Sequence, residues 1–171
     1  STTQFAVAGL AAAKSFYSSN KSADAPFADA ARVTAIDAAL ARSRTAYELN
    51  AAVGSDNASC FNLSANERGH GYNSFLTLGY RPSLAQTSSG IYIQLFGGAN
   101  INTPMVQSYM QWVKNRYRWQ DLDNLGNSWS GNSMGYYMWS SFKAMELLRQ
   151  AGVPPSAGNI GPNEFGTLPA A

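Results

Sequence analysis

The sequence predicts an all-α domain. Apolar residues recur at helical spacing in five stretches, Ser, Thr, Gly and Pro punctuate their ends, and two-residue alternation is nearly absent. Residues 3–18 are rich in alanine and hold no proline, which favours a first helix, and Gly9 with the alanines around it leaves room for a close helix neighbour. Pro26 stands at a first-turn position before a long second helix that ends near Val53 and Gly54. Within it Val33, Ile36, Leu40 and Tyr47 share a face, with Arg32, Asp37, Arg44 and Glu48 placed between them. Pro82 and Ser83 open a third helix. Ser83 is its expected cap, Leu84, Thr87, Ile91 and Leu95 its apolar face, and Gly97 with Gly98 its stop. Thr103 and Pro104 open a fourth, whose buried stripe is Met105, Val106, Tyr109, Met110, Val113 and Tyr117. A fifth runs over 134–150 and is expected to bury Met138, Phe142, Met145 and Leu148, until Gly152, Pro154 and Pro155 end it.

These elements place one helical domain over 1–155 and an extended tail over 156–171. Residues 54–81 carry turn chemistry at Asp56, Asn57, Asn62, Asn66, Gly69, Gly71 and Gly79, with one short extended candidate at 72–78. A loop of that length inside a compact domain is more often functional than idle. The chain of 171 residues, 45% hydrophobic, suffices for one ordinary core. Charged residues are 13%, about half of the roughly 25% usual in globular proteins, so Ser, Asn, Gln and Thr must solvate the surface. A net charge of +2, scattered along the chain, argues against a nucleic-acid partner. No apolar run approaches the roughly 20 residues that span a bilayer. Cys60 is the single cysteine, so neither an internal disulfide nor a CxxC pair exists. Ser1 in place of Met implies further chain or a leader upstream. The low-charge, hydroxyl-rich surface points to a secreted or cell-surface setting, the periplasm included.

The run STTQFAVAGLAAA at 1–13 resembles the NTQFAVLGL helix opening of bacterial proteins with prenyltransferase/squalene-cyclase-type repeats. In the same order follow Gly69-His70-Gly71-Tyr72, similar to that family's GGFGY turn, and residues 82–90, similar to its S-M-T-A-A-G helix. Residues 105–112 resemble the outer helix ending in A-L-x-W-L, and residues 136–145 resemble YYxWSxxKAM. The resemblance covers about four fifths of the chain. It implies helical-hairpin repeats forming part of an α/α toroid around a central cavity. A complete ring uses more than five helices, so the resemblance further implies a longer polypeptide or completion by self-association or another subunit. Family chemistry varies from terpene cyclisation to protein prenylation, so the fold does not name a reaction.

Class II cyclases of this family protonate an alkene with a D-x-D-D acid, which needs a carboxyl kept protonated by its surroundings. The nearest match is Asp121-Leu122-Asp123-Asn124, which also reads as two solvated loop carboxylates. Were it active, Asp123 would be the acid and Trp119, Trp129 and Tyr137 would line a cation-stabilising pocket. The family's prenyltransferase subunits hold zinc with Asp, Cys and His. Asp56, Cys60 and His70 are the only such set here, but neither spacing nor flanks match, so no metal and no cofactor are expected and Cys60 reads as a small buried hydrophobe. His70, the only histidine, reads first as a loop side chain and secondarily as a cavity contact. Glu67 and Arg68 before it read as a surface pair of little energetic weight. Tyr72, Trp112, Trp119, Trp129 and Tyr136 have the chemistry to stack on sugar faces, although no carboxylate pair at a fixed separation accompanies them. The expected function is therefore a structural or binding domain that packs against other copies or other domains. The alternative is an enzyme acting on a terpenoid or polysaccharide in a cavity bordered by Asp121, Asp123 and His70.

Overall fold

A computed structural model of the chain describes residues 2–18, 27–51, 66–71, 82–116 and 134–151. They form five helices, α1 (Thr2–Tyr17), α2 (Ala30–Leu49), α3 (Leu84–Phe96), α4 (Pro104–Arg116) and α5 (Met134–Ala151), and no strand among the described residues. The all-α reading is met.

Local chemistry sets the helix ends. Asp29 caps α2, its carboxylate accepting from the Arg32 N–H at 2.9 Å, so the helix starts four residues beyond Pro26, which lies outside the described residues. At the other end the Asn50 N–H reaches Ala46 O at 3.1 Å and the helix stops at Leu49, short of the expected Val53. Ser83 caps α3 as expected: its hydroxyl oxygen accepts from the Gln86 N–H at 3.2 Å and its proton goes to the Gln86 side-chain oxygen. The far end of α3 is a Schellman closure, with Gly98 N–H to Leu95 O at 3.2 Å and Ala99 N–H to Gln94 O at 3.0 Å. Gly98 adopts φ +91°, a conformation that glycine alone takes without strain. Pro104 begins α4 as expected.

α3 lies at the centre and packs against each of the other four helices. Every residue from Leu84 to Gln94 is buried. The expected face of Leu84, Thr87, Ile91 and Leu95 is thus too narrow, and Leu95 itself is only partly buried. A helix buried all round must be uncharged, and α3 is; its buried polar side chains are paired except for the Ser88 hydroxyl, which has no hydrogen-bond partner among the described residues. Two apolar clusters flank it. One joins Leu84, Ala85 and Ile91 to Val106, Tyr109, Met110, Trp112 and Val113 of α4 and to Tyr137, Ala144 and Leu148 of α5. The other joins Tyr92 and Ile93 to Val7 of α1 and to Ile36, Leu40 and Tyr47 of α2. Gly90 permits the α3–α4 approach, since a Cβ there would stand 3.0 Å from the Tyr109 ring.

α5 departs from expectation. Its buried side is Tyr137, Ser140, Ser141, Ala144 and Leu148, whereas Met138 is 47% and Phe142 61% exposed. The reason is a polar centre. Gln4 of α1 is fully buried, and its side-chain oxygen is approached by Tyr92 Oη at 2.6 Å, Ser89 Oγ at 2.5 Å and Ser140 Oγ at 2.9 Å. Each serine has its own helical carbonyl as a second acceptor, Ala85 O or Tyr136 O, both at 2.8 Å. One carbonyl oxygen takes two protons comfortably, so Tyr92 donates to Gln4 and the serines share the second lone pair. With Ser140 at this contact, helical periodicity brings Tyr137, Ser141, Ala144 and Leu148 inward beside it and leaves Met138 and Phe142 on the outer side. Gly9, expected at a close helix contact, faces open space instead.

Candidate functional site

His70 is buried at 4% exposure within the segment 66–71 that crosses α2, α3 and α4. The segment is tied down by backbone bonds. Arg68 N–H reaches Ser108 O at 3.2 Å, Ser83 N–H reaches His70 O at 3.1 Å, and Gly71 pairs with Pro82 in an isolated antiparallel bridge. The His70 N–H also donates to Thr87 Oγ1 at 2.9 Å. Gly69 is required here, because a Cβ would fall 2.5 Å from Pro82 Cβ and 2.6 Å from Trp112 Nε1.

The imidazole stacks on Tyr47 and meets Tyr109 edge-on, at ring centroids 4.0 Å and 6.5 Å away. Nδ1 lies 2.9 Å from Gly71 O, an acceptor only, so Nδ1 carries the proton. Nε2 then accepts from Asn50 Nδ2, at the C-cap of α2, at 3.4 Å. Burial pushes the His70 pKa down to about 4, the Gly71 carbonyl partly opposing it. Both ring nitrogens and one ring face are therefore committed to holding the segment. Glu67 is likewise not on the surface: it is fully buried, and the Arg68 guanidinium donates to its backbone oxygen at 2.6 Å.

The other expected site residues divide in two. Tyr72, Trp119, Asp121, Asp123 and Trp129, with Asp56 and Cys60 of the zinc reading, lie outside the described residues. Tyr137 and Trp112 are buried in the core at 2% and 0% exposure. Tyr136 is partly buried beside Phe5, at 6.3 Å between ring centroids. Among the described residues no group of three His, Cys, Asp or Glu side chains is placed to hold a metal, and no helix is long and apolar enough to cross a membrane.

An open groove lies elsewhere, between α1, α3 and α5. It holds about 290 Å³ and is lined by Ala8, Ala11, Ala12, Tyr92, Phe96, Trp139 and Lys143. Three alanines form one wall and three aromatic rings the other. Tyr92 meets Phe96 at 6.1 Å and Trp139 at 6.0 Å, both edge-on, and Phe5 leans on Trp139 at 4.9 Å. The Lys143 ammonium stands 6.0 Å from the Trp139 and Phe142 rings and is the only charged group in the lining among the described residues. Phe5, Met138 and Phe142 are large apolar side chains exposed on the same two helices, α1 and α5. Sequence reading missed this site because its walls come from helices far apart in the chain. The one available signal was the alanine run of α1, small residues that leave space beside the helix. Comparison with known protein families, with curated proteins and with solved structures finds no match to this chain.

Proposed function

We propose that the chain is a structural and binding domain of toroid-type helical hairpins, working at the cell surface or outside the cell, with the α1–α3–α5 groove as its binding surface. The observation that carries this reading is the groove itself: apolar walls, aromatic rings held edge-on, and a single cation in the lining among the described residues. The committed imidazole of His70 supports a role without imidazole chemistry. The antiparallel-hairpin pairing implied by the contacts of α1 with α2 and of α3 with α4 is compatible with repeat units, and the low charged fraction fits an extracellular setting.

Titration of the ¹⁵N-labelled protein with octan-1-ol tests the binding role. Saturable amide shifts are expected at Ala8, Ala11, Ala12, Phe96 and Trp139, and their loss is expected in Ala12→Phe, which fills the groove. Shifts that scale linearly and spread over the whole surface would remove the reading.

The exposed Phe5, Met138 and Phe142 support a second reading, self-association through the α1 and α5 surface. Sedimentation equilibrium checks it, with a dimer or larger species expected that Phe142→Ser weakens. A single monomeric species at 100 µM, about the upper range of such a measurement, would sink it.

A further inference from the structure

We infer that the groove selects a small amphipathic carboxylate, with a short alkyl chain or a single ring between the alanine wall and Trp139 and its anionic group at Lys143. The inference rests on the reading of the groove as a binding site and adds the ligand's chemical class. Size comes first. At roughly 30 Å³ for each liquid-water-sized group, a space of about 290 Å³ seats on the order of ten non-hydrogen atoms, the size of a short alkyl chain or a single ring with its end group.

Polarity narrows the class further. The hydroxyl of Tyr92, the one phenol in the lining, is already spent on Gln4 in the interior at 2.6 Å. A sugar would therefore bring hydroxyls to walls with almost nothing to pair them, which is unfavourable. Aromatic walls attract cations, yet Lys143 at the rim repels them, so a quaternary ammonium is disfavoured. What remains is an apolar body with a negative end.

Charge complementarity fits that end. Glu146, one turn along α5 from Lys143, is engaged by the Arg149 guanidinium at 2.7 and 2.8 Å and by Gln150 at 2.7 Å. The Lys143 ammonium lies in the field of Glu146 but forms no ion pair within 4.0 Å among the described residues, because the Glu146 carboxylate is turned to Arg149 and Gln150, and it can act as a point charge toward an anion. The ammonium of this exposed side chain stands 6.0 Å from both the Phe142 and the Trp139 rings, so the charge sits where the apolar wall meets water.

The test compares octanoate, octan-1-ol and octylammonium by ¹⁵N shifts and calorimetry on the whole chain. Octanoate is expected to bind at least fivefold tighter than octan-1-ol, with octylammonium weakest. Lys143→Gln should abolish the preference of octanoate over octan-1-ol, and Lys143→Glu should invert it in favour of octylammonium, while Ala12→Phe removes binding of all three. Equal affinity for octanoate and octan-1-ol overturns the carboxylate inference and leaves the binding site standing. Failure of all three to give saturable shifts at Ala8, Ala12 and Trp139 overturns both. Lys143 is exposed and forms no described ion pair, so its variants are expected to fold, and an unchanged melting temperature verifies that.

Discussion

The imidazole of His70 lies parallel to the phenol ring of Tyr47, planes within 15° and centroids 4.0 Å apart, with no room for a solvating water between them. Tyr47 is itself fixed through its carbonyl oxygen, which accepts from Tyr109 Oη at 3.1 Å. The stack therefore fastens the 66–71 segment to α2 and α4 together.

This stack makes stability depend on acid. His70 titrates at about 4 in the folded chain, because burial disfavours its charged form, and near 6.5 when unfolded. Between those values the unfolded state binds the extra proton, so stability is complete above pH 6.5 and falls as pH drops toward 4. The full effect is about 3 kcal/mol. Glu146, held down to about 2 by hydrogen bonds from Arg149 and Gln150, loses its contribution only below its ordinary value of 4.5, so it stays silent between pH 7 and 5. Urea unfolding at pH 7 and pH 5 should show lower stability at pH 5, and His70→Gln should flatten the difference. An unaltered slope in that variant would assign the acid sensitivity to another group.

Gln4 and Tyr92 should be strongly coupled. Gln4→Leu leaves the buried Tyr92 hydroxyl without its acceptor and is expected to cost about 2–3 kcal/mol. Tyr92→Phe should cost about 1 kcal/mol alone and much less in the Gln4→Leu background. A double-mutant cycle from chemical denaturation measures this, and additive losses would mean that Tyr92 finds another acceptor.

Two glycines should respond with opposite signs. Gly9 lies in the exposed interior of α1 with open space where a Cβ would go, so Gly9→Ala should stabilise by up to about 1 kcal/mol. Gly98 also has open space but adopts φ +91°, so Gly98→Ala should destabilise by about 1 kcal/mol. Melting temperatures of the two variants check the signs, and a stabilising Gly98→Ala would contradict the Schellman closure of α3.

Neighbouring aromatics on α5 should differ sharply. Tyr137→Ala opens a cavity in the α3–α4–α5 cluster and should cost about 3–5 kcal/mol. Phe142→Ser, at a position 61% exposed, should change stability by less than about 0.5 kcal/mol. Comparable losses for the two in thermal unfolding would return α5 to the orientation expected from its sequence.

That orientation marks the limit of what the sequence discloses. Helix ends were legible because their causes are local: the Ser83 hydroxyl, the ring of Pro104 and the positive φ of Gly98 each act within a turn of the residue that supplies them. Start and end of α2 were less legible, since Asp29 outcompetes Pro26 as a start and Asn50 ends a run whose alanines continue. The buried side of α5 was not legible, because Met138 and Phe142 look more apolar than Ser140 and Ser141, and the partner that Ser140 finds inside, Gln4, is 136 residues away in the chain. Burial of Glu67 and His70 was hidden for the same reason. The groove escaped because Ala8, Phe96 and Trp139 share no spacing, and the carboxylates and tryptophans favoured by the family resemblance fall at 119–129, outside the described residues.

The contact between Gln4 and Ser140 also sets a timetable. Its two members are 136 residues apart, so α1 leaves the ribosome long before its α5 partner is made. At about 5–20 residues per second the wait is roughly 7–27 s. During that interval Val7 and Leu10 have α2 to cover them, and α3 then brings Tyr92 and Ser89 to the Gln4 oxygen, but the contact from Ser140 waits until synthesis passes α5. Locking the polar centre is thus a late event in the life of each new chain, and a nascent polypeptide stalled after α4 carries an N-terminal helix whose deepest side chain has not yet met all of its neighbours.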